Sequence, residues 1–212
     1  MPGCSLWLVP SKESPIRNKL FSLISQTLPA QFPHVTPEQL VANGFIPHVT
    51  LTSDVPVDLF SRAPENDEAR RKADAQAWLD GIRPSLPRGS EVDVRFQALD
   101  VGQKFVQKLT LRVEKEGVKP LALWSRILAV EDGLDQPAQR WANELYRPHC
   151  SLIYGSVDIS DEKKSQLQKL VEDAGIGIDG SGDLGGWTGG TVWLVPTFKP
   201  IPEWEPWAEI VI

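Results

Sequence analysis

The sequence predicts helices and strands mixed in one chain, on three observations: short apolar runs with strand alternation, apolar residues at helical spacing between them, and enough hydrophobic sequence for a large core. Of 212 residues, 41% are hydrophobic, which suits one large domain or two closely joined lobes. Leu6-Trp7-Leu8-Val9 is an apolar run ended by Pro10 and reads as a strand. From Glu13 to Leu28, Ile16, Leu20, Leu23, Ile24 and Leu28 recur at helical spacing, with Pro29 as the stop. Gly44 and Pro47 bracket Phe45-Ile46, and the β-prone run through Leu51 and Thr52 places a strand over 45–52.

Residues 53–90 are more polar, and prolines punctuate a charged helix through Glu65 to Leu79. Val92, Val94 and Phe96 alternate, as do Leu109, Leu111 and Val113, so 91–100 and 104–114 read as a strand pair joined around Asp100-Val101-Gly102. Leu121, Trp124, Ile127 and Leu128 form a helical face, and Ser160 opens a helix carrying Leu167, Leu170 and Val171. Glycine-rich Gly175 to Gly190 lacks a Gly-Lys-[Ser/Thr] phosphate cradle and reads as a mobile loop. Trp193 and Val195, then Ile210 and Ile212, suggest two closing strands. Such an alternation leaves strand order open.

Composition removes several function classes. No run approaches the roughly 20 apolar residues that cross a bilayer. Met1-Pro2-Gly3-Cys4 has no basic segment leading into a signal core. A soluble intracellular protein is expected, cytoplasmic by default, with association with an internal membrane compartment left open. Two cysteines, Cys4 and Cys150, make no disulfide framework and no zinc-ligand spacing, so neither a metal nor another cofactor is expected. A net charge of -6 disfavours long nucleic acid as a partner, because duplex affinity draws on many Lys and Arg contacts to phosphate. A local basic pocket for one small phosphate stays open, and the expected state is a monomer.

One pattern is written twice: Pro47-His48-Val49-Thr50-Leu51 and Pro148-His149-Cys150-Ser151-Leu152. On a strand, residues two apart share a face, so each histidine projects beside its own hydroxyl while Val49 or Cys150 points the other way. Two such surfaces facing each other would supply an acid and a base on opposite sides of a phosphorus, with two hydroxyl donors for its oxygens. His34 sits in a similar string, but Thr36-Pro37-Glu38-Gln39 reads as a capped helix start that takes Thr36, which leaves His34 a loop residue. Either motif alone would suit a satisfied, half-buried histidine; the duplication favours function. Cys150 reads as filler pointing away from the cleft.

With these residues in place the chain resembles the two-histidine (2H) phosphoesterase superfamily, in particular its fungal and plant cyclic phosphodiesterase branch. The likeness extends to Ser5 through Pro10, Phe105-Val106-Gln107, Tyr146 to Tyr154 and Glu205-Pro206-Trp207-Ala208, which bracket almost the whole chain. The resemblance implies a bilobal α+β fold over 1–212, with two antiparallel sheets facing across a central cleft, helices outside and approximate twofold symmetry. It implies hydrolysis of nucleoside 2',3'-cyclic phosphates to 2'-phosphates, and of ADP-ribose 1'',2''-cyclic phosphate, a by-product of tRNA splicing, to ADP-ribose 1''-phosphate. It gives the general base to His149 and the general acid to His48, with the swapped assignment open. Thr50 and Ser151 would bind the phosphate, and Trp7 and Tyr154 match aromatics near the cleft that could stack on a base, although a first-strand Trp is usually core. Rival readings are an RNA-end or 2'-5' phosphodiesterase of the same superfamily, a nucleotide-binding module without turnover, and a metallophosphodiesterase, for which the sequence shows no ligand cluster.

Overall fold

A computed structural model describes residues 3–41, 44–131 and 133–212. The chain runs β1 (Cys4–Val9), α1 (Pro15–Ser22), β2 (Val49–Val55), α2 (Glu68–Ile82), β3 (Asp93–Val101), β4 (Leu109–Val113), α3 (Lys115–Ala129), α4 (Asp135–Arg140), β5 (His149–Ile153), α5 (Asp161–Asp173), β6 (Gly186–Thr188), β7 (Thr191–Val195) and β8 (Ala208–Val211). All eight strands join in one antiparallel sheet of order β6-β3-β4-β5-β2-β1-β7-β8. The mixed α and β class holds, but the two separate sheets expected from the resemblance are one. Their junction is narrow: β2 and β5 meet through the pair Val49 and Cys150.

β1 shows why both faces of the sheet are covered. Its alternation sends Cys4, Leu6 and Leu8 into the main core, where they join Ile16 and Leu20 of α1. Trp7 and Val9 point the other way and cluster with Trp193 and Val195. The helix expected over Glu13 to Leu28 is helical through Ser22 and then widens into a π turn, with the Leu28 N–H donating to the Leu23 carbonyl at 3.0 Å. Leu23, Ile24 and Leu28 are all buried.

Several expectations are corrected. The strand placed over 45–52 begins only at Val49. Pro47 has no N–H for a ladder bond, so the approach to His48 stays outside the sheet. The segment 104–114 is a strand only from Leu109, because Phe105–Gln107 makes a 3-10 turn. No helix follows Thr36. Gln39 Oε1 accepts from the Thr36 N–H at 3.1 Å as a capping residue would, but the turn stops after Leu40, which is buried and bridges to Gly155. Trp124, assigned to the core face of α3, is 42% exposed; the buried positions are Val118, Leu121, Ala122, Ser125, Ile127 and Ala129, so Leu121 and Ile127 hold. The glycine-rich stretch is not a free loop throughout. It contains β6, which pairs with β3 so closely that a Cβ on Gly186 would lie 1.8 Å from the Val94 carbonyl oxygen.

Among the described residues no helix is long and apolar enough to cross a membrane.

Candidate active site

The two motif strands are neighbours at the centre of the sheet. Pairing of Val49 with Cys150, carried one step each way in an antiparallel register, sets His48 opposite Ser151 and His149 opposite Thr50. Both prolines act on the histidine that follows. The residue before a proline is held extended, and its carbonyl is free of the ladder. His48 Nδ1 lies 2.7 Å from the Ile46 carbonyl oxygen, and His149 Nδ1 lies 2.9 Å from that of Arg147. A carbonyl only accepts, so Nδ1 carries the proton in both rings and Nε2 keeps its lone pair.

His48, Thr50, His149, Ser151, Trp7 and Tyr154 all line one cavity of about 330 Å³. His48 is 5% exposed, and His149 is half-buried. His34 is exposed and lies outside this cavity. The Ser151 hydroxyl donates to the Val106 carbonyl at 2.9 Å, so it must rotate to reach a ligand. Tyr146, from the turn ahead of β5, donates to the Thr50 carbonyl at 3.1 Å and ties the second motif's approach to the first motif's strand. Cys150 is fully buried in the core, as alternation requires.

The two aromatics sit differently from each other. Tyr154 follows β5, where the chain leaves the sheet and its carbonyl accepts from the Val41 N–H at 3.0 Å. That exit turns its hydroxyl to within 3.5 Å of His48 Nε2, although strict alternation from Ser151 would point it away. Trp7 lies flat on His48, with ring centroids 3.6 Å apart. Ser53, Thr197 and Trp204 also line the cavity and carried no signal in the sequence, whereas Ser5 and Gln107, which line it too, lie in stretches that carry the resemblance without a site role having been read for them. Ser5 was legible, since it shares a strand face with Trp7. Trp204 was not: it arrives on an irregular proline-rich segment, held by its indole N–H on the Lys199 carbonyl at 2.7 Å. A larger cavity of about 680 Å³ is lined by Asp54, Asp58, Glu65 and Arg71 among others and includes neither motif histidine. Its carboxylates would repel a phosphate.

The family model described as cyclic phosphodiesterase-like protein matches residues 1–212. The chain belongs to that family. It is 36% identical to a 2',3'-cyclic-nucleotide 3'-phosphodiesterase of Neurospora crassa, with all of both chains covered. It is 38% identical to a protein of the same name from Phaeosphaeria nodorum over 99% of this chain and 98% of that one. A third, from Yarrowia lipolytica, is 27% identical over 96% of each chain. The protein is therefore a hydrolase of the cyclic phosphodiesterase class.

In this cyclic phosphodiesterase-like protein the two histidines are electrostatically unequal. Burial pulls His48 down to about 4 from an ordinary 6.5, against the Ile46 carbonyl, which raises it; His149 across the cavity adds a smaller lowering. Burial also lowers His149, with the Arg147 carbonyl opposing and the Lys104 ammonium adding to the lowering. Both imidazoles are thus neutral in the free protein at neutral pH. Burial pushes the Tyr154 hydroxyl far up, so it remains a donor, and pushes the Cys150 thiol up to about 12, which leaves it unreactive. Such a site can accept a proton at either Nε2 and can donate from three hydroxyls. Among the described residues no three histidine, cysteine or carboxylate side chains gather to hold a metal ion.

Proposed function

We propose that the protein hydrolyses nucleoside 2',3'-cyclic phosphates to nucleoside 2'-phosphates by acid–base catalysis between two histidines, without a metal ion. The observation that carries this reading is the matched pair of imidazoles. Each is pinned through Nδ1 to the carbonyl two residues back, and both line one small cavity. The names of the fungal relatives support the substrate class.

In the proposed step His149 Nε2 takes a proton from water, the water oxygen attacks phosphorus, and the bond from phosphorus to the 3' oxygen breaks. His48 then gives its Nε2 proton to the departing 3' oxygen. Thr50, Ser151 and Tyr154 donate to the non-bridging oxygens as charge builds there. The anionic phosphate supplies the counter-charge under which His48 Nε2 takes up a proton from solvent on binding, and a charge partner has its largest effect where water is excluded. ADP-ribose 1'',2''-cyclic phosphate presents the same strained cyclic diester and is proposed as a second substrate, which would place the enzyme in the metabolism of tRNA-splicing by-products. The protein is proposed to act as a single bilobal domain and as a monomer.

The test incubates the protein with 2',3'-cyclic AMP and with ADP-ribose 1'',2''-cyclic phosphate in excess chelator and identifies products by phosphorus NMR. Hydrolysis of 2',3'-cyclic AMP to the 2'-phosphate is expected. Binding without turnover would make the chain a nucleotide-binding module. Loss on chelation that a divalent ion restores would sink the metal-free mechanism. A dominant 3'-phosphate would reverse the substrate orientation and the acid and base roles with it.

A further inference from the structure

His48 and His149 have twin backbone settings but different neighbours. The Trp7 indole covers the face of His48 at a centroid distance of 3.6 Å with the planes 8° apart. Phe45 meets the same imidazole edge-on at 6.5 Å and 71°, and is itself stacked on Tyr154 at 3.7 Å. Trp204 stands edge-on to Trp7 at 5.8 Å. Among the described residues no aromatic ring is stacked on His149. Trp7 is 3% exposed, so little of its surface remains for a nucleobase.

We propose that Trp7 is a positioning residue whose indole face orients His48 and favours its imidazolium, so that a near-symmetric pair is split into an acid at His48 and a base at His149. The proposal rests on the cyclic phosphodiesterase reading and deepens it. The physical reason is the ring quadrupole. An indole face carries partial negative charge and attracts a cation, more strongly when water is excluded, while a neutral imidazole gains only dispersion from the same contact. The ring torsion of histidine is soft, so the stack and the Nδ1–H bond to the Ile46 carbonyl together define the direction of Nε2.

Burial and His149 both oppose a charge on His48, so the imidazolium there depends on what its face and edge meet. Facing His48 are His149 across the cavity and the Tyr154 hydroxyl at 3.5 Å, both uncharged in the free protein at neutral pH. From β1 the only neighbouring ring is that of Trp7, which does not titrate. Among the described residues, no carboxylate is a source of the His48 shift. With no protein anion acting on it, the imidazolium at His48 has the substrate phosphate on its edge and the indole on its face. Lys104 opposes a cation at His149, which keeps that ring available as a base.

The experiment compares wild type with Trp7→Leu and Trp7→Phe. It reads the pH dependence of kcat and KM on 2',3'-cyclic AMP, and the His48 ring signal in an NMR titration with adenosine 2'-phosphate bound. Three histidines in the chain make assignment simple through His34→Ala and His149→Ala spectra. Trp7→Leu is expected to lower the His48 titration and the high-pH limb of kcat together by about one pH unit, the scale of a desolvated cation–π contact. At pH 8 that is about a 10-fold loss of kcat, with KM within about threefold. Trp7→Phe, which keeps a weaker π face, should fall between the two. If Trp7→Leu does not fold, Trp7→Phe and Trp7→Tyr decide on the same terms. An unmoved His48 titration overturns the proposal, as does a raised KM with an unmoved kcat limb, which would make Trp7 a base platform. Wild type without turnover on cyclic phosphates would refute the functional reading alone, because the NMR titration still reports on the stack.

Discussion

Pro47 and Pro148 each place a carbonyl two residues before a cavity-lining imidazole, so the motif is better written with its proline than without. This local device gives each histidine a defined tautomer before any ligand arrives. His48→Ala and His149→Ala should each lower kcat by about 10² to 10⁴-fold, the usual worth of a general acid or base, while His34→Ala leaves it unchanged. A His34 defect of the same size would move a catalytic role to the third histidine and overturn the pairing of His48 with His149. Thr50→Ala and Ser151→Ala should cost about 10-fold each through weaker binding of the transition-state oxygens. The sign of the pH dependence follows from the lowered imidazoles. The proposed mechanism needs one proton on the pair in the free enzyme, and both rings are lowered from their ordinary 6.5. The optimum of kcat/KM is therefore expected below 6.5, falling as pH rises through neutrality, whereas kcat should hold to higher pH because bound phosphate restores the proton. Coincident profiles for kcat and kcat/KM would count against this coupling. The two histidines and their hydroxyls were legible because period-two geometry and a repeat point to them. Trp7 could be seen as an aromatic near the cleft, but its seat on His48 depends on a strand pairing that the sequence does not encode locally.

At the scale of elements, strands and long helices were legible from periodicity, and failures fall where tertiary contacts outweigh local preference. Thr36 makes half of its capping box, yet Leu40 is drawn to Gly155 and the helix never propagates. β6 was hidden because glycine is depleted from ordinary strands, although here it permits a backbone approach that any side chain would block. Gly186→Ala should accordingly destabilise the chain by about 1 to 3 kcal/mol, since a Cβ 1.8 Å from the Val94 carbonyl oxygen forces backbone to move. In a protein of this size that is a fall in melting temperature of roughly 2 to 12 °C, read by calorimetry. The kinetic constants should stay at wild-type values, because β3 and β4 separate β6 from the motif strand β5. An unchanged melting temperature would mean that β6 is not paired as described. The far edge of the sheet is closed by a side chain instead: Gln76 of α2 exchanges amide bonds of 3.0 and 3.1 Å with the backbone of Glu209 in β8, which occupies edge groups that could recruit another strand.

The whole molecule carries a cost for keeping a histidine buried in its centre, and that cost depends on pH. His48 titrates at about 4 when folded and at an ordinary 6.5 when unfolded. Between these values the unfolded chain binds the proton that the folded chain excludes, so stability is complete above 6.5 and is lost as pH falls toward 4. One group titrating fully contributes about 1.4 kcal/mol per pH unit, or about 3 kcal/mol over that window. His149 is lowered for the same chief reason and acts in the same direction. Because strands from both ends of the chain enter one sheet through the β2 and β5 junction, this loss is expected in one cooperative unfolding transition and not in a lobe that melts separately. The measurement is urea unfolding at pH 7.5 and at pH 4.5 for wild type and for His48→Asn, which keeps a polar side chain without a titrating ring. Carboxylates contribute equally to both proteins and cancel in the comparison. Wild type should lose about 2 to 3 kcal/mol more than His48→Asn on acidification. Equal losses in the two proteins would show that His48 is protonated as readily in the fold as outside it, and the acidic placement of the kcat/KM optimum would fall with that result.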